Sequence, residues 1–411
     1  MPHTRPERSS STQLLTKRTP KKRIRPDKVV KNELSIVLPC LNEELTVGTC
    51  VKKAVDFLKK YKVDGEVIVA DNGSTDHSIE IAKKQGARVV HIEQKGYGSA
   101  LRGGFEAAKG KYIIMADADD SYDLVNLMPF VEKLREGYDL VMGNRFKGGI
   151  KKGAMPWHHR YIGNPILSFL GKLFFKTPAN DFHCGLRGFP KAAIKKMDLQ
   201  TTGMELASEI VIKSSILEMK TCEVPTTLSP DGRDRAPHLR SFRDGWRHLR
   251  FLLIYSPRWL FFYPGILFLC IGVIGSLVLF FGPVDIGFRP LDFHSFIIAG
   301  TIMMLGLTLL SFASITRVFS YNFGLLPNRP SFFNLLKFFN LEVGLSIGVL
   351  FILIGFIIIK YSIDISIMPG FEAIGFGNSV RLVFGGCLSL LTGGQIVVTS
   401  FVLSMLGINP K

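Results

Sequence analysis

The chain has 411 residues, 47% of them hydrophobic, and a formal net charge of +17. That length allows two or three domains, and the charge calls for an anionic partner such as a membrane surface, a nucleic acid or a phosphorylated substrate. Six cysteines without a CxxC pair exclude a disulfide framework and a zinc site, and fit reduced, structural thiols.

Residues 1–32 carry ten Lys/Arg against two Asp/Glu, a net +8, with Ser, Thr and Pro and no apolar periodicity. They read as a disordered basic tail without the apolar core of a signal peptide. No nucleic-acid recognition motif follows, so a bilayer rather than a nucleic acid is the expected partner of the charge.

From Glu33 to about residue 235 strand and helix alternate. Apolar strand-like runs fall at Leu34–Leu38, Glu66–Ala70, Arg88–Ile92, Tyr112–Ala116 and Leu140–Met142, with helical patterns at Val47–Tyr61, Ser78–Gln85, Ser99–Lys109 and Leu124–Glu136. This predicts an α/β domain on a mostly parallel sheet, whose ligands bind beyond the carboxyl ends of the strands. Polar motifs stand at those ends: Pro39-Cys40-Leu41-Asn42-Glu43-Glu44, Asp71-Asn72-Gly73-Ser74-Thr75-Asp76, Gly96-Tyr97-Gly98, Asp117-Ala118-Asp119-Asp120 and Gly143-Asn144-Arg145. Two carboxylates spaced i and i+2, Asp117 and Asp119, can hold a hard divalent ion, Mg²⁺ or Mn²⁺, that also needs phosphate oxygens. Arg145 can add a cationic contact to the same diphosphate.

Residues 236–257 read as a loop and an interfacial helix. Arg240, Arg243, Arg247 and Arg250 recur at steps of three and four, with Trp246, Leu249, Leu253 and Ile254 largely off that stripe. A transmembrane region, 258–411, follows, with apolar runs at about 259–281, 293–314, 343–359 and 383–406. Each approaches or exceeds the roughly 17–25 residues that cross a bilayer core. Arg317, Arg329 and Lys337 between the second and third runs predict that this loop, the N-terminal domain and the C-terminus share the cytoplasmic side, with Asp285 opposite.

The strand-end motifs, with Gly148-Gly149 after Gly143-x-Arg145, resemble family 2 of the inverting glycosyltransferases, of GT-A fold. Asp181-x-x-Cys184-Gly185-x-Arg187-Gly188-Phe189, then Glu209 and Glu223-Val224-Pro225, resemble its polyprenyl-phosphate branch, the dolichyl-phosphate mannose and the undecaprenyl- or dolichyl-phosphate glucose synthases. The resemblance spans about Leu34 to Leu239. It implies a UDP- or GDP-sugar donor and a polyprenyl phosphate acceptor. It also implies that Pro39, Leu41 and Glu43 line the base site and that Asp71 faces base or ribose. Asp117 and Asp119 would bind the metal, and Arg145 the diphosphate or lipid phosphate. Arg160, four residues before Asn164, falls about where the family places an acceptor-phosphate arginine. Arg233 or Arg235 is expected to join Arg160 on that phosphate, leaving Arg243, Arg247 and Arg250 to the membrane surface. Asn72 stands for a commoner Asp, and Ser121 for a frequent Gln.

Several residues carry plainer readings. His158 and His159 belong to a basic stretch rather than a metal pair, and His183-Cys184 to packing or loop structure. Gly96 and Gly98 shape a turn or admit the donor, and Glu209 orients a neighbouring arginine. Two other functions fit the same domain. A processive polysaccharide synthase usually carries Gln-x-x-Arg-Trp, where this chain has Tyr255-Ser256-Pro257-Arg258-Trp259. A non-enzymatic sugar-nucleotide sensor or flippase partner would not need the paired aspartates.

Overall fold

Alternate residues of the central strands serve opposite faces of one sheet. Leu34, Ile36, Leu38 and Ile114 enter one core and Val37, Ile113 and Met115 the other. A computed structural model describes residues 32–233, 241–287, 290–322, 341–367 and 376–407. The tail 1–31, Arg235, the loop with Pro237 and Arg240, Arg289, Arg329, Lys337, Glu372 and Lys411 lie outside the described residues.

In chain order the first elements are β1 (Leu34–Cys40), α1 (Val47–Lys60), β2 (Gly65–Asp71), α2 (Ser78–Lys84), β3 (Arg88–His91) and α3 (Tyr97–Ala107). Next come β4 (Tyr112–Met115), α4 (Met128–Arg135), β5 (Leu140–Asn144) and the short α5 (Arg145–Gly148). A π-helical turn, His159–Gly163, runs into α6 (Asn164–Phe175), followed by β6 (Arg187–Pro190), α7 (Lys191–Met197), α8 (Leu206–Ile216) and β7 (Thr221–Pro225). The sheet order is β3-β2-β1-β4-β6-β5-β7. All neighbours are parallel except β6, which runs antiparallel to both β4 and β5.

Strand order reverses beside β1 and β4, the usual place for a ligand crevice in such sheets. α1 covers one face with Val47, Cys50, Val51, Ala54, Phe57 and Leu58, an i, i+3, i+4, i+7 stripe. α3 and α8 cover the other with Ala100, Leu101, Phe105, Leu206 and Ile210.

The expected interfacial helix is α9 (Ser241–Ile254). Arg243, Arg247 and Arg250 are exposed, as are Trp246 and Ile254. Its inner edge does not face a membrane: Leu252 is fully buried in the second core, and the His248 ring meets Ser208 Oγ at 2.8 Å. The helix is therefore docked on the catalytic domain.

A second π-helical turn, Arg258–Phe262, opens α10 (Tyr263–Phe280), and α11 (Phe293–Asn322), α12 (Leu341–Ile367) and α13 (Phe376–Gly407) follow. These give four helices long and apolar enough to cross a membrane. They outrun the apolar runs; α12 continues past Ile359 because Lys360 and Asp364 pair at 2.7 Å, an i, i+4 contact that suits a helix leaving the bilayer. α10 and α11 approach closely where a side chain on Gly272 would strike the Met303 backbone. The Phe174 ring at the end of α6 stacks on Trp259 at 5.4 Å, joining the catalytic domain to the first span.

Candidate active site

The turns after β1 and β2 are stitched together. The Asn42 N–H donates to Ser74 Oγ at 3.0 Å, Thr75 N–H to Asn42 Oδ1 at 2.7 Å and Glu43 N–H to Ser78 Oγ at 2.7 Å. Asn42 holds a left-handed φ of 56°, which asparagine tolerates. Asp71 is 1% exposed, and its carboxylate takes the Gly73 and Ser74 N–H groups at 3.1 and 3.0 Å and faces His91 Nδ1 at 3.1 Å. Burial would raise its pKa, but the Ser74 and Gly73 hydrogen bonds outweigh that and keep it below the usual range. Asp71 thus builds the turn. Asn72 donates Nδ2 to the Ile92 and Gln94 carbonyls at 3.1 and 2.9 Å and accepts the Gly96 N–H at 2.7 Å. A carboxylate cannot make those two donations, so the asparagine is a structural requirement of this loop.

The paired aspartates follow β4. Asp117 Oδ1 accepts the Tyr97 hydroxyl at 2.8 Å. Asp119, 8% exposed, accepts the Ser121 hydroxyl and N–H on Oδ1 at 2.6 and 3.1 Å. Burial, then the nearby Asp119 charge, pushes Asp117 up to about 6, against the pull of Tyr97, Arg233 and Arg145. Asp120 turns away to Lys53 Nζ at 2.7 Å on α1. Behind the pair, Tyr122 Oη accepts the Gly185 N–H at 2.8 Å, and a β-carbon on Gly185 would lie 2.6 Å from Asp117 Oδ2.

Arg233 reaches this pair from the far end of the domain. Its Nε and Nη2 fork onto Glu43 at 2.7–3.0 Å, and Nη1 lies 3.2 Å from Asp119 Oδ2. A guanidinium on Asp119 demonstrates a cation-seeking position. No group of three or more His, Cys, Asp or Glu forms a metal cage among the described residues. Paired carboxylates of this kind suit Mg²⁺ or Mn²⁺, which keep waters and substrate phosphate oxygens among their ligands.

Arg145 sits elsewhere than on open ligand space. It is 8% exposed and forks onto the fully buried Asp181, Nε to Oδ2 and Nη2 to Oδ1, both at 2.7 Å, with its N–H also on Oδ2 at 2.9 Å. Glu223 fastens the same corner through the Asp181 N–H at 3.0 Å and Asn144 Nδ2 at 2.8 Å. Arg160 lies in the π-helical turn with its guanidinium 5.5 Å from the Tyr161 ring centre, and Asn164 Nδ2 meets Met155 Sδ at 3.4 Å. Among the described residues, these contacts do not bring either residue onto Asp117 or Asp119. Pro39 near the end of β1 and Leu41 just after it are both partly exposed.

The plainer residues resolve. Side chains on Gly96 or Gly98 would strike the carbonyls of Thr202, Thr201 and Gly203, so these glycines admit a neighbouring loop, and the φ of 128° at Gly96 also demands glycine. Glu209 orients no arginine: it accepts the Gln200 and Thr201 N–H groups at 2.9 Å and pairs with Lys213. Both ring nitrogens of His183 are buried without a hydrogen-bond partner among the described residues, and its ring lies 4.6 Å from that of His248. Burial pushes the thiols of Cys50 and Cys184 up to about 12, which keeps them inert.

Sequence reasoning missed Tyr97 and Tyr122 as supports of Asp117. It also missed the exposed apolar line Trp157, Tyr161, Ile162, Ile166, Phe169 and Leu173 along the π-helical turn and α6. Its steps, mostly of three or four residues, were readable.

An α/β sheet with paired aspartates at its switch point, followed by helices long and apolar enough to cross a membrane, defines the class as an α/β enzyme domain joined to a C-terminal apolar helical region. The chain belongs to glycosyltransferase family 2. Residues 35–198 match the family as "Glycosyl transferase family 2", and residues 314–407 match "Glycosyltransferase family 2 C-terminal transmembrane region". The chain is 35% identical over 388 residues to the low-salt glycan biosynthesis hexosyltransferase Agl6 of Haloferax volcanii, covering 93% of this chain and 91% of that protein. It is 32% identical to glycosyltransferase AglJ of the same organism over 51% of this chain and 67% of AglJ. It is also 30% identical to a dolichyl-phosphate hexose transferase of that organism, over 47% of this chain and 82% of the other. The chain is therefore a glycosyltransferase that transfers a sugar from a nucleotide-diphospho-sugar with inversion.

Proposed function

We propose that the sugar is a hexose, glucose or mannose, carried by UDP or GDP, and that the acceptor is a polyprenyl phosphate, dolichyl or undecaprenyl, met at the cytoplasmic face of the membrane. The observation that carries this reading is the exposed apolar line that runs from Trp157 through the π-helical turn into α6. Trp157 and Tyr161 are each 68% exposed, Phe169 62% and Ile166 52%. A soluble acceptor gives no reason for such a patch on a catalytic domain, whereas a lipid surface does. Arg160 stands at the head of that line, and the exposed Arg243, Arg247 and Arg250 of α9 suit an anionic headgroup layer. The likeness to a dolichyl-phosphate hexose transferase supports the same acceptor. Arg317 on α11 supports a cytoplasmic catalytic domain.

The chemistry then asks little of the protein beyond positioning. A phosphate monoester is already anionic near neutral pH, with its second pKa at about 6, so no general base is required. Its oxygen attacks the anomeric carbon as the bond to the nucleoside diphosphate breaks, and a single displacement inverts that centre. Asp117 and Asp119 would hold Mg²⁺ or Mn²⁺, which supplies positive charge to the leaving diphosphate. Arg145, fixed by Asp181, adds a permanent positive potential beside Asp117. Glu43, Pro39 and Leu41 border the nucleotide, with Asp71 shaping their turn. Arg160, with Asn164 beside it, serves the acceptor phosphate.

Turnover of UDP- and GDP-hexoses on a short polyprenyl phosphate tests the reading. A product carrying one sugar is expected. A polymer would instead mean a processive synthase, and no reaction with any donor would mean a sensor or flippase partner.

A further inference from the structure

The segment that follows β7 brings Arg233 onto a candidate metal carboxylate. The Arg233 side chain is only 15% exposed, and the side chains of Glu43 and Asp119 beside it are 5% and 12% exposed. Asp119 Oδ1 is already engaged by Ser121, so Oδ2 is the oxygen left to a cation, and that oxygen faces Arg233 Nη1 at 3.2 Å. The loop backbone is tied to the same residue, since the Gly232 N–H donates to the Asp119 carbonyl at 3.0 Å. Asp231 adds a third carboxylate 3.9 Å from Nη1. Buried carboxylates need a counter-charge, and in this arrangement the chain provides it from within.

A guanidinium and a divalent ion cannot share Asp119 Oδ2 without like charges in contact. We propose that Arg233 is an internal counter-cation that occupies the cation position at Asp119 and is exchanged for the metal when the donor loads. This rests on the assignment of the metal to Asp117 and Asp119. Metal alone then competes with a tethered fork at very high local concentration. Metal arriving with a nucleoside diphosphate brings further ligands to the exchange and wins. Metal and nucleotide therefore strengthen one another's binding, and the freed guanidinium becomes available to a second anion, the acceptor phosphate. Donor loading precedes acceptor capture.

The test is Mn²⁺ binding to the full-length protein in detergent, followed by the loss of the free-ion electron paramagnetic resonance signal, with and without UDP. R233A should bind Mn²⁺ alone about tenfold more tightly than wild type, within the usual range for coupled ligands, and UDP should add less to its Mn²⁺ affinity. R233Q, neutral and of similar length, carries the same expectation should R233A not fold. R233K keeps the charge and should bind Mn²⁺ as weakly as wild type. Unchanged or weaker Mn²⁺ binding in the neutral variants overturns the exchange. D119N separates this from the underlying assignment: if D119N binds Mn²⁺ like wild type, the metal site itself is misplaced, whatever Arg233 does.

Discussion

The Tyr97 hydroxyl donates to Asp117 Oδ1 at 2.8 Å, so a residue of the glycine loop after β3 orients a carboxylate that follows β4. Hydrogen bonds to charged groups contribute about 1.5–3 kcal/mol. Y97F should therefore lower kcat/KM for the sugar donor by roughly ten- to a hundredfold. The thermal midpoint should move little, because the ring still packs. Steady-state kinetics at saturating acceptor checks this, and wild-type kinetics in Y97F would remove Tyr97 from the site's support.

The Arg145–Asp181 fork predicts a different phenotype. Asp181 is fully buried and engages three donors of one residue. D181N leaves a buried guanidinium without its counter-charge, which costs about 3–5 kcal/mol. Chemical denaturation of the catalytic domain's transition in the intact protein should register that loss. A midpoint equal to wild type would mean the fork adds charge but no stability.

His183 sets an acid limit. Burial, then the neighbouring His248, Arg187, Arg145 and His159, holds its pKa well below 6.5. The unfolded chain takes up a proton as pH falls through about 6.5 while the folded chain does not. Stability is thus whole above that pH and declines progressively below it. H183Q should flatten the fall of the thermal midpoint between about pH 7 and pH 5. An equally steep fall in H183Q would place the acid sensitivity on other groups.

The apolar line of α6 can be broken without touching the carboxylates. Removing a buried Phe or Ile side chain from an apolar medium forfeits about 1.5–3 kcal/mol. I166E with F169E should reduce transfer to a polyprenyl phosphate in liposomes by more than about tenfold, with UDP affinity unchanged. An equal loss in donor binding would assign the line to the fold of the domain.

Much of the sheet was legible because each polar motif follows an apolar run, and Asp117 and Asp119 stand just beyond one such strand, β4. What escaped depends on distance along the chain. Arg233 lies 190 residues from Glu43, and no local pattern announces such a contact. β6 reverses direction between β4 and β5, and four residues, Arg187–Pro190, are too few to show a periodicity. Arg145 looked like a ligand contact because an arginine after a strand is chemically free in sequence; the buried Asp181 that holds it is a property of packing. Asn72 looked like a departure from a carboxylate pattern, although its amide is what closes the loop onto Ile92 and Gln94.

The stack of Phe174 on Trp259 ends α6 on the turn that begins the first span. The contact couples the catalytic domain to the first apolar helix, so the two move together rather than as beads on a free linker. For the lipid phosphate proposed as acceptor, that seam would set how far the paired aspartates stand from the bilayer, so a phosphate borne directly on its lipid and one lifted by an intervening sugar would meet the site at different heights.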